Sequence, residues 1–297
     1  MRQWRRCLLL VLLWPLVSFA GSEILLTGAQ DSSGVRDFVQ ALGERRPKDQ
    51  VHFVPLAQLP APGQLKADTR LILLDPEALD WRLREPAGPP ALVLRISRVQ
   101  AQQRLGGLRP PYLSLLWSDP PLARQLRLVQ YLLPQARRVG VLYGEQSRFL
   151  LDELRQAAHP LGLEIDAQPW PDLRDNRPLQ TLLKDTDVLL GLDDPQLYNP
   201  KTAKNLLLSA YARQMALIGP NVGFVRAGAL ASTLSDQNDW LAVLDRLLDQ
   251  PPDKWPRAHY PEHFSVSGNQ QVARALGIEP IDAGAAGQAV SAGEPIR

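Results

Sequence analysis

Arg138-Val139-Gly140-Val141-Leu142-Tyr143-Gly144-Glu145-Gln146-Ser147 decides the fold. A short apolar, β-branched run ends in a glycine turn. Phe149, Leu150, Leu154, Ala157, Ala158 and Leu161 then follow at helical spacing. The order is strand, turn, helix. Val188-Leu189-Leu190 begins the same cycle again. It is apolar throughout, as a strand covered by helices on both faces must be. Ala203, Leu206, Leu207 and Ala210 supply the helical stripe behind it. Such alternation predicts βαβ units on a parallel sheet.

Working outward, residues 23–27, 51–55, 71–74, 91–96 and 215–219 read as further strands. Leu122, Leu126, Val129 and Leu133 share one helix face, and Pro134 ends that helix. Trp240, Leu241, Leu244, Leu247 and Leu248 form another stripe, capped by Ser235 or Asp236 and stopped by Pro251. Ser267 is expected to cap a helix that Gly277 closes. Two βα series emerge, roughly 22–112 and 134–224, joined through Arg109-Pro110-Pro111 and an extended stretch to Asp119. Helical segments beyond the second series imply that the chain returns to the first. The expected class is α/β: two Rossmann-like lobes with parallel sheets and several crossovers. Lobe one takes residues 21–115 plus about 229–262. Lobe two takes 116–228 plus about 263–281. The Ala/Gly-rich residues 282–297 lack period and read as a flexible tail.

The first twenty residues read as a cleavable export signal. Arg2, Arg5 and Arg6 precede an apolar run from Cys7 to Val17, and Ser18-Phe19-Ala20 sets small residues before a cut at Gly21. That run is too short for a hydrocarbon core needing about twenty residues. An uncleaved anchor is the competing reading. The full chain carries 33 basic and 31 acidic side chains. Removing the leader takes away three arginines and no acid, which leaves a near-neutral chain with no electrostatic case for nucleic acid. The single cysteine, Cys7, leaves with it. Cys7 also lies in front of the apolar run, so lipid attachment is not expected. The expected location is the periplasm.

From about Tyr131 onward four segments carry a resemblance. They are Leu132-Leu133-Pro134-Gln135-Ala136-Arg137-Arg138-Val139-Gly140-Val141-Leu142-Tyr143, Asp187 to Asp194, Val225-Arg226-Ala227-Gly228-Ala229-Leu230-Ala231-Ser232, and the terminal Ser267-Gly268-Asn269-Gln270-Gln271-Val272-Ala273-Arg274-Ala275-Leu276-Gly277-Ile278. In this order they resemble the ABC-transporter substrate-binding-like family, relatives of aromatic amino-acid binding proteins. The resemblance implies the type I periplasmic-binding-protein architecture, a small-molecule ligand such as an amino acid or related carboxylate, and an inner-membrane ABC permease or other envelope protein as partner. It covers about half of the chain. The family's lipid-attachment cysteine is missing, and Pro111 to Trp117 replaces its Asn-hydrophobic-Thr-Gly crossover. Lobe one matches poorly.

In open parallel sheets ligands bind beyond the carboxyl ends of the strands. After the first strand stand Gln30, Asp31, Ser32 and Ser33, where backbone N–H groups at a helix start can hold an anion or be capped locally. The spacing Thr27 to Gly34 fits neither G-x-G-x-x-G nor a P-loop. Ser97 follows a later strand, with Arg95 and Arg98 beside it as carboxylate grips or surface charges. In lobe two the candidates are Glu145, Gln146, Ser147, Asp193, Asp194, Tyr198 and Asn221, each with a capping or turn role as the alternative. Trp117 and Trp170 are either stacking platforms or core.

His259-Tyr260-Pro261-Glu262-His263 matches the H-x-x-E-H zinc pattern, but that chemistry needs a helix, and Pro261 breaks one. Neither Asp185-Thr186-Asp187 nor Asp193-Asp194 offers a calcium cage, and there is no G-x-S-x-G elbow. The expectation is a monomeric binding protein with no metal, no cofactor and no catalytic residues. The alternatives are a non-transport accessory or sensor with the same fold, and an envelope enzyme.

Overall fold

The computed structural model describes residues 21–294. The expected leader lies outside the described residues. Within them the chain first lays down β1 (Glu23–Gly28), α1 (Ser33–Arg45), β2 (Gln50–Pro55), β3 (Arg70–Leu73), α2 (Pro76–Arg82), β4 (Ala91–Ile96), α3 (Arg98–Leu105) and β5 (Leu113–Trp117). A second series follows: α4 (Leu122–Leu132), β6 (Arg138–Tyr143), α5 (Leu151–Ala158), β7 (Glu164–Pro169), α6 (Arg177–Asp185), β8 (Val188–Leu190), α7 (Pro200–Ala212), β9 (Ala216–Ile218), α8 (Val222–Ala227) and β10 (Ala231–Leu234). The chain then makes α9 (Gln237–Leu248), β11 (Ala258–His259), β12 (Ser265–Gly268), α10 (Gln270–Ala275) and α11 (Ala283–Ala292).

Two six-stranded sheets result, ordered β11-β5-β4-β3-β1-β2 and β12-β10-β9-β8-β6-β7. The second order is the first with each strand replaced by its counterpart five places later, the edge pair β11 and β12 apart. Neighbouring strands of these sheets pair in parallel, except that β12 runs antiparallel to β10. The chain passes between sheets near residues 118–121, 235–236 and 260–264. Ile24, Leu26, Ile72, Leu74, Leu92 and Leu94 point to one face of the first sheet, under α1 and α9. Leu25, Leu71, Leu73, Ala91 and Val93 point to the other, under α2 and α3. Two covered faces explain why these strands read as unbroken apolar runs.

Three expectations are corrected. The return to lobe one does not begin near 229, because β10 belongs to the second sheet, with Ala231 opposite Ile218 of β9. The helix before Gly277 starts later than expected. Ser267 lies in β12 opposite Ser232, and Asn269 caps α10 by accepting from Gln271 and Val272 N–H. The stretch from 283 to 292 is helix, not a loose tail. Asp282 caps α11, and Ala286 and Val290 are fully buried in the second-lobe core. Arg124, buried on α4, then holds Glu294 through two hydrogen bonds, at 2.5 and 3.1 Å, while lying 3.9 Å over the Phe264 ring. Of the two caps expected for α9, Asp236 is the one used, by Asn238 and Asp239 N–H at 2.7 and 3.0 Å.

Gln125 on α4 fixes the end of the second sheet. Its amide donates to the Gly219 carbonyl at 3.0 Å and to Ser232 Oγ at 3.2 Å. Its oxygen accepts from Thr233 N–H and Oγ1, both at 3.1 Å. All of these groups are buried, and apart from Ser232 Oγ, which also donates to the Thr233 carbonyl, they rely on the amide. Gln125→Leu is expected to destabilise the fold by about 2–4 kcal/mol, since a buried group stripped of its partner costs about 1–3 kcal/mol. The check is a denaturant titration of both proteins, with an unchanged midpoint contradicting this account.

Candidate functional site

The strand tips of the first lobe are partly satisfied from within. Asp75 caps α2, accepting from Ala78 N–H at 2.8 Å, and its other oxygen takes Ala29 N–H at 2.6 Å. A carboxylate of the chain itself therefore takes an N–H of the loop for which anion binding and local capping were the alternatives. Ser32 caps α1 through Val35 N–H at 3.2 Å. Asp31 pairs with Arg36 at 3.0 Å, and Gln30 and Ser33 are exposed beside them. Ser97 is buried in a capping box with Gln100.

The second lobe repeats the device. Asp194 is fully buried and accepts from Ser147 Oγ at 2.6 Å and from Gln196 N–H at 3.0 Å. Ser147 Oγ in turn accepts from Gly144 N–H at 3.0 Å. Ser147 and Asp194 thus lock the loop after β6 to the loop after β8. Tyr198 is core: its ring meets Phe224 edge-on at 5.7 Å, and burial first, then Asp194, holds its phenol well above the ordinary value. Glu145 is exposed and pairs with Arg148 at 3.3 Å, with Gln146 half-buried next to it. Trp117 and Trp170 are both core residues. Of the twelve candidate residues, Asp193 and Asn221 are brought together from two different strand ends, β8 and β9, at 3.4 Å.

The junction between lobes adds groups that were not among those twelve. Arg98 starts α3 in the first lobe. Its backbone N–H and Nε donate to Asp119, on the first crossing, at 2.8 and 3.2 Å. Its Nη1 donates to Glu153 on α5 of the second lobe at 2.5 Å. Its guanidinium also lies 5.9 Å from the Tyr260 ring on the third crossing. Arg98 Nη2 and the Tyr260 hydroxyl are buried without a hydrogen-bond partner among the described residues. Burial pushes the Asp119 carboxyl up against the pull of Arg98, and burial also raises the Tyr260 phenol. Burial first, then Asp119 and Asp194, push Asp193 up to about 7, against the pull of Asn221. One cation, Arg98, therefore faces carboxylates from both lobes. Only adjacency to Ser97 pointed to Arg98 in the sequence; Asp119, Glu153 and Tyr260 carried no local signal. The H-x-x-E-H string is not helical, since β11 ends at His259, and Glu262 pairs with Arg246.

No family model and no curated protein sequence matches the chain. Solved structures do. A ligand-free, open substrate binding protein with adhesive properties from Clostridium difficile matches at TM-score 0.67 and 17% identity. The ABC domain in complex with L-Trp from Streptococcus pneumonia matches at 0.59 and 15%. A conserved domain protein from Vibrio cholerae matches at 0.58 and 13%. Each alignment covers 88% of this chain and 96% of the other. The chain has the type I periplasmic-binding fold. In this fold the lobes meet at the strand tips, which is where Arg98, Asp119, Asp193 and Tyr260 converge. At such low identity the likeness speaks for the fold alone.

The Asp193 shift has a consequence for stability. The folded carboxyl holds its proton up to about 7, whereas the unfolded one releases it near its ordinary value of 3.8. Stability from this group is therefore present below the unfolded value and is lost as pH rises toward about 7. Asp193→Asn is expected to match the parent at pH 4 and to melt at a higher temperature at pH 8. Melting curves across that range check the sign, and a variant less stable at pH 8 would contradict it.

Proposed function

We propose that the chain is the periplasmic solute-binding component of an ABC-type transport system, holding a small polar metabolite between its lobes. The observation that carries this reading is the pair of unpartnered buried groups, Arg98 Nη2 and the Tyr260 hydroxyl, at a junction that Asp193 and Asn221 enter from the second lobe. Buried polar groups are nearly always satisfied. A polar ligand would satisfy these, with Arg98 and Tyr260 on its first-lobe side and Asp193 and Asn221 on the other. The reading gains support from the similar proteins, one titled a substrate binding protein and one bound to L-Trp. Nothing in it needs a reacting group, so the ligand is held and released unchanged. Among the described residues no helix is long and apolar enough to cross a membrane, and export rests on the N-terminal leader.

A second reading is an accessory or sensor protein of the cell envelope with this fold. It is favoured by the self-occupied loops, Asp75 on Ala29 and Asp194 on Ser147, and by the Arg98–Glu153 bridge. In that case the cleft answers mainly to its own side chains.

A thermal-shift panel of amino acids, nucleosides and short peptides separates the two. A ligand at one hundred times its dissociation constant adds about 2.7 kcal/mol, which is several degrees for a chain of this size. A shift that is lost in Asp193→Ala supports solute binding between the lobes. No shift with any solute favours the accessory role. For location, mass spectrometry of the protein recovered from the periplasm is expected to show Gly21 as its first residue. A membrane-bound form retaining Met1 would overturn the export reading.

A further inference from the structure

The strand order β10-β9-β8-β6-β7 puts α6, α7 and α8 on one face of the second sheet, because their three crossovers step in the same direction. Asn205 of α7 and Asn176, which precedes α6, join these two helices through a 2.8 Å hydrogen bond. Asn269, the cap of α10, donates to the Val225 carbonyl of α8 at 2.9 Å. The helices bury apolar side chains inward, Leu179 and Leu182 on α6 and Ala203 and Leu206 on α7. What they turn outward is cationic. α7, α8 and α10 contain no acidic residue, and α6 contains one, Asp185. Lys184, Lys201, Lys204, Arg213, Arg226 and Arg274 are exposed on or just after these helices. Their side chains make no hydrogen bond or ion pair among the described residues. α5, whose crossover steps the other way, instead carries Asp152 and Glu153 beside Arg155.

Lys201, Lys204, Leu208 and Tyr211 are three, four and three residues apart, so they share the outward face of α7. Leu208 is 58% exposed and Tyr211 57%. Two large apolar side chains therefore stand in water inside a field of positive charge. Charge complementarity calls for an anionic occupant. A stable protein partner covers about 800 Å² around an apolar centre, and two protruding side chains do not form one. Cations spread over four helices match a broad anionic surface. Lysine is a compact charge with no fixed fork, which fits many loosely placed phosphates better than one fixed carboxylate. Tyrosine, apolar with a polar tip, settles at the headgroup level of a bilayer, and leucine enters the acyl boundary beneath it.

We propose that the outer face of α6, α7 and α8 docks on an anionic phospholipid bilayer. The cations lie over the phosphates, and Leu208 and Tyr211 insert at the interface. The proposal does not depend on what the cleft between the lobes binds.

Vesicle co-sedimentation tests it, with the chain from Gly21 onward, which carries every described element and omits the apolar leader. Vesicles of equimolar phosphatidylglycerol and phosphatidylcholine are expected to bind the protein about tenfold or more tighter than phosphatidylcholine alone. Raising salt from about 0.05 to about 0.5 M should remove most of that binding, as charges are screened. Lys201→Gln/Lys204→Gln should bind about tenfold more weakly. Leu208→Ser/Tyr211→Ser should bind severalfold more weakly. Lys48→Gln/Lys66→Gln removes the same charge from exposed positions of the first lobe and should bind like the parent. A melting curve for each variant checks that it is folded. The proposal is overturned if anionic vesicles bind no better than neutral ones, or if Lys201→Gln/Lys204→Gln binds as well as the parent. Equal loss in Lys48→Gln/Lys66→Gln also overturns it, since net charge and not this face would then govern binding. The first of these results would turn the face over to an acidic protein partner, and all of them leave the solute-binding reading intact.

Discussion

Arg98 is the constraint around which the two lobes are arranged. A buried guanidinium needs an opposite charge or a set of carbonyl acceptors such as Arg82 has, because desolvating an ion costs several kcal/mol. Asp119 supplies that charge through two hydrogen bonds and travels with Arg98 on the first-lobe side. Among the described residues Glu153 is the ion-pair partner of Arg98 from the second lobe, and its side chain is about half exposed. An ion pair open to water is worth about 0–1 kcal/mol. The two bonds of this one residue therefore have different strengths. The Asp119 pair is a fixture of the fold. The Glu153 pair can break at small cost, so the lobes can separate while Arg98 keeps its pair with Asp119. A cleft that closes around a ligand needs such a weak link between strong halves.

The repeat within the chain extends from topology to chemistry. In each lobe an aspartate after the third strand ties down the loop after the first: Asp75 reaches Ala29, and Asp194 reaches Ser147. Parallel sheets leave backbone N–H groups uncovered at these tips, and buried or half-buried ones must find acceptors. Using internal carboxylates makes the tips rigid before any ligand arrives. It also removes them as anion sites. What remains for a ligand is the set the loops do not consume, namely Arg98 Nη2, the Tyr260 hydroxyl and Asp193, whose partner Asn221 also caps α8 through Phe224 N–H.

This division explains what could be read from the sequence. Central strands were legible because both faces are buried, and Leu71 to Leu74 or Val188 to Leu190 admit no other reading. β7 was not, because its half-buried Glu164-Ile165-Asp166-Ala167-Gln168 lies at a sheet edge. β12, Ser265-Val266-Ser267-Gly268, is polar enough to pass for a helix cap, and its strand character comes from β10, far away in sequence. α11 was hidden by its small residues. Alanine and glycine look like a linker, yet Ala286 and Val290 of this segment are fully buried in the second-lobe core, and Ile281 just before it packs on Gly268 of β12, where a Cβ would come within 2.8 Å. The strand-tip rule found the right loops. It could not tell a residue that locks a loop from one that faces the gap, since Ser147, Asp193 and Asp194 follow strands equally well and only their burial separates them.

The second crossing bears on how the lobes would respond to a bound molecule. A ligand shifts an equilibrium only by its difference in affinity for the two states. A molecule at Arg98 and Asp193 touches both lobes, so it binds the closed arrangement with more partners than the open one. Ser235 donates to the His263 carbonyl on the third crossing at 3.0 Å, which joins two of the three connections at that point.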